Sequence, residues 1–180
     1  MTWPDLKKLS IWLYPDPLLK RGCVCVEDFG PDLTALAARM LALMKEAGGI
    51  GLAGPQVGLS LRLFVCNPLA QPDGDMVFVN PTLHDLSGAE TKEEGCLSLP
   101  GVTVSMRRAT SARIRAFTTE GEPIEKTGVD LIARVWQHET DHLDGRLIID
   151  HMSAADEIAN RRALKQLRDD ERRRRHHRRD

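Results

Sequence analysis

Apolar residues recur at helical spacing in three stretches of the chain. The first stretch predicts a helix with Asp32 as its N-cap and an end at Gly48-Gly49; its apolar positions are Leu33, Leu36, Met40, Leu43 and Met44. The second, residues 130–143, contains neither proline nor glycine, and its apolar residues suit a buried helix. The third predicts a helix over 154–174 with one apolar stripe, formed by Ile158, Ala163, Leu164 and Leu167.

Shorter apolar or alternating runs lie between the first two helices and predict strands. They are residues 61–66, 76–79, 82–86, 102–106 and 111–118. Segments 72–75 and 120–123 contain proline and glycine and predict turns. Strands enclosed by three helices indicate an α+β fold, with small mixed or antiparallel β-sheets around the central helix. The length of 180 residues fits one domain with one sizeable core.

The central helix carries the sequence His138-Glu139-Thr140-Asp141-His142. Residues four apart lie about 40° apart around a helix axis, so both imidazoles would face one metal ion. Glu139 would lie beside them and could handle the protons of a water molecule there. The same five-residue pattern also occurs by chance on solvated helices, so the motif alone fits either a metal site or a solvated helix.

A third ligand is needed, because catalytic sites of this kind usually have three protein ligands and one open position. Cys96 lies upstream in Glu94-Gly95-Cys96-Leu97-Ser98-Leu99-Pro100, and a thiolate binds borderline metals strongly. A lone cysteine is more often a small buried hydrophobic residue. The glycine-rich stretch 49–56 shifts the balance toward a ligand, since it allows close backbone approach and ends in the amide of Gln56, a possible oxyanion donor.

Taken in order, GIGLAGPQ, EGCLSLP and QHETDHLDG resemble the three motifs of the peptide deformylase family, and the resemblance extends from Tyr14 to about Met152. Gly54 departs from the family pattern, which usually has alanine there. The missing methyl group removes no reactive group, and its effect on acyl specificity is open: a looser loop beside Gln56 would admit acyl groups larger than formyl.

The resemblance implies hydrolysis of the N-formyl group from the formyl-methionine of new polypeptides, with release of formate. It implies Cys96, His138 and His142 as metal ligands and Glu139 as the general base and acid. Two further groups would stabilise the oxyanion: the side-chain amide of Gln56 and the backbone N–H of Leu97.

The resemblance also implies that the substrate peptide is held like an added β-strand by the backbone at Ile50, Gly51 and Gly95. Leu131 and Val135 would line a methionine pocket, with plain core packing an equally good interpretation of these two residues. Arg134 and Trp136 alternate with them and are expected to face elsewhere.

One divalent metal ion per chain is expected. A thiolate with two imidazoles suits zinc, iron(II), cobalt or nickel, and the ligand types alone do not choose among them. The family resemblance implies ferrous iron, with zinc, nickel or cobalt as replacements.

Charge is unevenly distributed along the chain. Residues 168–180, the Arg-rich tail, carry about +3 from seven arginines and four acids, while residues 1–167, the expected catalytic domain, carry about −4. The tail predicts an anionic partner such as the ribosome, although a solvated helix with internal ion pairs explains it as well. The four cysteines form no disulfide-rich pattern, and a thiolate at Cys96 fits a reducing cytoplasm. No apolar run reaches membrane-spanning length, so no membrane contact is expected. The chain is also expected to be a monomer.

Three other functions compete with this interpretation. A zinc endopeptidase would need a third ligand downstream of His142, whereas the candidate here is upstream. A structural metal site would be closed by four ligands and would give no role to Gln56 or Glu139. An RNA-binding protein is suggested only by the Arg-rich tail, with few aromatic residues for stacking.

Overall fold

The computed structural model describes residues 3–177, with side chains to residue 174. Its three α-helices are α1 (Pro31–Glu46), α2 (Asp130–Leu143) and α3 (Ala154–His177). Its seven strands are β1 (Gly51–Ala53), β2 (Leu63–Cys66), β3 (Met76–Ser87), β4 (Glu90–Glu94), β5 (Val104–Arg108), β6 (Ser111–Phe117) and β7 (Pro123–Val129). Short 3₁₀ helices occupy Leu6–Lys8, Pro17–Lys20, Gly54–Val57 and Ile148–His151.

The strands form two antiparallel sheets around α2. Five of them pair in the order β1-β2-β3-β6-β7, and β4 pairs with β5 as a separate hairpin. The predicted α+β class with antiparallel sheets around a central helix is confirmed.

Helix α2 is held against the five-stranded sheet by its apolar face. Trp136 is 1% exposed and packs edge-on against Phe78 at 5.4 Å between ring centroids, and Phe78 in turn contacts Phe64. Burying an aromatic ring of this size stabilises the fold by about 1.5–3 kcal/mol. The packing fixes the rotation of α2, so its opposite face is presented to the β4–β5 hairpin.

Several predicted boundaries need correction. Helix α1 is capped by Gly30 with Pro31 at its first turn, so the prediction of Asp32 as N-cap is wrong. The runs 76–79 and 82–86 belong to one strand, β3, which is interrupted by an irregularity where Asn80 has φ of 52°. Strands β4 and β7 were not predicted, because most of their residues are exposed and polar rather than alternating.

Helix α3 follows the prediction through residue 174 and continues to His177. Leu167 is 8% exposed, and Ala163 and Leu164 pack against the same cluster, whereas Ile158 is 67% exposed and does not belong to the stripe. Residues 178–180 of the Arg-rich tail lie outside the described residues. None of the helices within 3–177 has a segment both long and apolar enough to cross a bilayer.

Candidate metal centre

Three predicted ligands converge where α2 meets the segment that follows β4. The ligand atoms of Cys96, His138 and His142 all lie within 4.8 Å of one another. Cys96 Sγ is 3.3 Å from His142 Nε2. The four-residue spacing puts both imidazoles on one face of α2, with their ring centroids 5.0 Å apart.

The donor set fits one divalent ion. Ligand atoms that bind one ion at about 2.0–2.3 Å each lie roughly 3–4.5 Å apart, and the Cys96–His142 distance falls in that range. One thiolate and two imidazoles are ligands of zinc and of other borderline metals. The arrangement leaves room for a small molecule, because the site opens into a cavity on one side.

The orientation of His138 is set by Glu94. His138 Nδ1 lies 3.0 Å from Glu94 Oε2, so the Nδ1–H donates to the carboxylate and Nε2 remains available as a ligand atom. Burial alone would raise the pKa of Glu94, but hydrogen bonds from His138 and Arg108 hold it at about 2. The carboxylate is therefore ionised and stays an acceptor for His138.

Arg108 joins the two segments that supply the ligands. Its guanidinium donates to both oxygens of Glu94, through Nε and Nη2 at 3.0 Å each. Its remaining nitrogen pairs with Asp141, the neighbour of His142. A guanidinium that donates to two carboxylates holds both in place, and it thereby restrains the backbone near Cys96 and His142.

The ion pairs of Arg108 with Glu94 and Asp141 were not predicted from the sequence, although the alternation along β5 indicates a buried Arg108. Residues 104, 106 and 108 are all buried on β5 while 105 and 107 are exposed, so Arg108 occupies an inward-facing position in an alternating strand. A charged residue at such a position needs a buried partner of opposite sign.

Glu139 lies beside the ligands and is almost completely buried, at 3% exposure. A side chain at Gly51 would collide with its carboxylate, so the glycine allows β1 to approach α2 closely. Glu139 Oε2 has no hydrogen-bond partner among the described residues. Burial raises the pKa of Glu139 to about 7, and His138 opposes part of that rise. A carboxyl group with this pKa can both accept and return a proton near neutral pH.

Gln56 is oriented so that its amide N–H groups face the site. Its Oε1 accepts from the Ala53 backbone N–H at 2.9 Å, and its Nε2 donates to Cys96 Sγ at 3.4 Å and to Ser98 Oγ at 3.2 Å. The side chain is 1% exposed, so this orientation is held in a water-poor environment. Sequence reasoning missed Ser98, although it stands within the EGCLS motif.

A cavity of about 560 Å³ opens beside the ligands. Eight of the nine predicted site residues line it: Ile50, Gly51, Gln56, Gly95, Cys96, Leu97, His138 and Glu139. The ninth, His142, contacts Cys96. Leu131 and Val135 line it too. Arg134 also lines the cavity, so the expectation that it faces elsewhere is wrong, whereas Trp136 is packed in the core as expected.

Gly54 does not leave a void beside the site. A Cβ at this position would lie 2.6 Å from the backbone carbonyl oxygen of Leu61 and 3.0 Å from that of Leu59. The loop after the 3₁₀ helix therefore occupies the space of the missing methyl group. Gly54 therefore provides no extra volume for a larger acyl group beside Gln56.

Comparison with known proteins gives one consistent family. The family model for polypeptide deformylase matches residues 8–157. A peptide deformylase of Acidobacterium capsulatum is 43% identical over 143 residues, covering 78% of this chain and 84% of the relative. One from Alkalilimnicola ehrlichii is 42% identical over 161 residues, covering 88% of this chain and 90% of the relative.

Solved structures agree with the sequence relatives. A plant peptide deformylase superposes with a TM-score of 0.87 at 35% identity, covering 93% of this chain and 92% of the other. The enzyme of Thermus thermophilus superposes with a TM-score of 0.83 at 39% identity, covering 90% and 98%.

Proposed function

Because this chain belongs to the peptide deformylase family, a family of hydrolases, we propose that it removes the formyl group from the N-terminal formyl-methionine of newly made polypeptides. The observation that carries this proposal is the convergence of a Cys-His-His ligand set, a buried carboxyl group and an oriented amide on one cavity. The reaction takes place in the cytoplasm, and the catalytic unit is a monomeric domain formed by residues 1–167.

Cys96, His138 and His142 would hold one divalent ion, and ferrous iron is the proposed ion, with zinc, nickel or cobalt able to replace it. Such an ion would act as a Lewis acid and would lower the pKa of a water molecule in the site toward neutrality. Glu94 keeps His138 in the tautomer that can serve as a ligand.

Glu139 moves the proton. Its carboxylate takes a proton from the attacking water and returns it to the amine that leaves when the C–N bond of the formamide breaks. The raised pKa of Glu139 supports both steps, because the group is neither a strong acid nor permanently protonated at neutral pH. Its buried Oε2, without a partner in the described part of the chain, is the atom available for this transfer.

Two donors stabilise the negative charge that develops on the formyl oxygen. One is Nε2 of Gln56, which is already aimed at the site by the bond from Ala53 to its carbonyl oxygen. The other is the backbone N–H of Leu97, next to Cys96 in the cavity wall. Donors fixed before the reaction cost no reorganisation energy, and one such donor is typically worth about 10²–10³-fold in rate.

The peptide lies along the backbone of Ile50, Gly51 and Gly95 as an added strand, and the methionine side chain enters the cavity between Leu131 and Val135. Both residues present apolar surface there. A thioether side chain gains stability by leaving water for such a surface.

The proposed activity predicts that purified protein releases formate from formyl-Met-Ala and does not process acetyl-Met-Ala. The extra methyl group must fit beside the ligands, where Gly51 approaches Glu139 and Gly54 leaves no spare volume. We expect at least about a 100-fold difference in kcat/KM, near the upper range for one methyl group in a closed site. Formate is measured with a coupled dehydrogenase, and acetate by chromatography. Comparable rates on the two peptides would rule out a formyl-specific hydrolase.

The Arg-rich tail is proposed to bring the enzyme to the ribosome, where formylated chains emerge. Helix α3 carries the tail continuously from the domain to residue 177. Against docking, Arg172 lies 3.8 Å from Asp169 and Arg173 lies 3.5 Å from Asp170, pairs typical of a solvated helix. These exposed pairs contribute little, so RNA phosphate can compete for the same arginines.

Truncation after Leu167 is predicted to leave hydrolysis of formyl-Met-Ala unchanged and to abolish co-sedimentation with ribosomes. In full-length protein, co-sedimentation should weaken steeply with salt, because six to ten phosphate contacts typically lose about 10³–10⁵-fold in affinity between 50 and 200 mM salt. A variant with glutamine at positions 172–174 keeps the helix and should sediment less than wild type. Equal sedimentation of truncated and full-length protein would leave the tail as a solvated end.

A further inference from the structure

Arg134 is unusual among the residues of the cavity, because it is a cation that is almost completely buried, at 7% exposure. Its side chain donates three hydrogen bonds, all of them to residues of the β4–β5 hairpin. Nη1 donates to Glu94 Oε1 at 2.7 Å and to the Met106 carbonyl oxygen at 3.0 Å, and Nη2 donates to the Glu90 carbonyl oxygen at 2.8 Å. A planar guanidinium can hold several acceptors in one fixed geometry.

These bonds connect the two walls of the cavity. One wall belongs to α2, where Leu131 and Val135 flank Arg134. The other wall follows the β4–β5 hairpin through Gly95, Val102 and Thr103. Arg134 reaches both strands of that hairpin, at Glu90 in β4 and at Met106 in β5. Arg108 also links the hairpin to α2, through Glu94 and Asp141, but it does not line the cavity. Arg134 is therefore the arginine that ties the two walls together at the cavity itself.

Arg134 is not required to neutralise Glu94 or to orient His138. Arg108 already donates to both oxygens of Glu94, and His138 donates to Oε2. What Arg134 adds is the pair of bonds to backbone carbonyl groups, which Arg108 does not make in the described contacts. Its particular contribution is the separation of the hairpin from α2.

We propose that Arg134 is a positioning residue that sets the width of the pocket for the first side chain of the substrate, and thereby its selectivity for an unbranched side chain. This inference rests on the proposed deformylase function. A pocket discriminates by size only while its walls cannot move apart, and one methylene group in a rigid apolar pocket is worth about 10–200-fold in specificity. Without the hydrogen bonds of Arg134 the hairpin can move away from α2, and the pocket then admits bulkier side chains.

The test is the ratio of kcat/KM for formyl-Met-Ala to that for formyl-Phe-Ala. Arg134→Met replaces the arginine with an apolar side chain of similar length and removes all three bonds. We expect the ratio to fall at least about tenfold. A merely structural role would lower the active fraction equally for both peptides, so it would cancel from the ratio.

Cobalt(II) binding to the metal-free protein provides the second readout. We expect the affinity of Arg134→Met for cobalt to stay within about threefold of wild type, because Arg108 still holds Glu94. A loss of cobalt affinity with an unchanged ratio would assign Arg134 to support of the ligands and would overturn the proposal.

Two further variants make the outcome decisive. Arg134→Lys keeps a charge beside Glu94 but cannot span both carbonyl groups, so it should fold well and still show a lowered ratio. Arg113→Met removes an exposed arginine of β6, which pairs with Asp85, and should leave the ratio unchanged. An unchanged ratio in both Arg134 variants would contradict the positioning role of Arg134. A wild-type ratio in Arg134→Lys alone would contradict it too. Absence of formate release by wild type would instead refute the proposed function.

Discussion

Glu139→Gln is expected to lower kcat for formyl-Met-Ala by about 10²–10⁴-fold while the metal content stays at the wild-type level. The amide has the shape of the carboxyl group, so it preserves the close packing against Gly51. It cannot accept and return a proton. Formate release gives kcat, and elemental analysis gives the metal content.

The control for this prediction is Glu125→Gln, which alters an exposed carboxylate on β7 that hydrogen-bonds His84 and Arg115. It should retain wild-type kcat. A near-native rate in Glu139→Gln would remove Glu139 from the mechanism. Loss of metal from that variant would show instead that the carboxyl group supports the ligands.

Glu139 also makes stability depend on pH in the metal-free protein. Its pKa rises on folding from 4.5 to about 7 because the group is buried, so the folded state binds the proton more tightly than the unfolded state. The contribution of Glu139 to the free energy of unfolding is fully present below pH 4.5 and is lost as the pH rises toward 7. Glu139→Gln lacks this loss, so above pH 7 its metal-free form should melt at a higher temperature than metal-free wild type.

Helix α2 could be predicted from local sequence because its signals are local. An uninterrupted run without proline or glycine and two histidines four apart are sufficient for its bounds, residues 130–143. The association of Cys96 with this helix has no local signal, since 42 residues separate it from His138. It was expected from the chemistry of a thiolate, from the glycine-rich stretch 49–56 and from the family resemblance, not from any pattern around Cys96 itself.

Strands β4 and β7 escaped prediction because they expose most of their residues to water. In β4 only Glu94 is buried, and in β7 only Gly128 is buried, so neither strand shows an alternating apolar face. Their place in the fold depends on pairing with β5 and β6 rather than on their own composition. Partners distant in sequence decide such strands.

The buried ion-pair cluster was missed for a related reason. Charged residues usually lie at the surface, so Glu94, Arg108 and Arg134 are expected there unless a partner is known. Glu94 is the shared partner of both arginines, and the three residues come from β4, β5 and α2. Such mutual dependence cannot be read from one segment. The alternation of Val104, Met106 and Arg108 was an indication, but the predicted strand, 102–106, ended before Arg108.

Cys96→Ala is expected to abolish both metal binding and formate release. It removes one of three ligands and the only thiolate among them. Loss of partners beyond the ligands typically costs about 10–100-fold in metal affinity, so loss of a ligand should exceed about 100-fold. Cobalt(II) titration of metal-free protein measures the affinity, and the thiolate-to-cobalt charge-transfer band reports the Cys96 ligand directly.

Cys96→Ser keeps a side chain of similar size at position 96 and replaces the thiol ligand with a hydroxyl group. A hydroxyl group is harder and less readily ionised than a thiol, so this variant should bind cobalt weakly and without the charge-transfer band. Cys25→Ala, which alters an exposed free cysteine, should bind cobalt as wild type does. Wild-type cobalt affinity with an intact band in Cys96→Ala would show that another group holds the metal. The Cys-His-His site would then be wrong, whatever the activity of the variant.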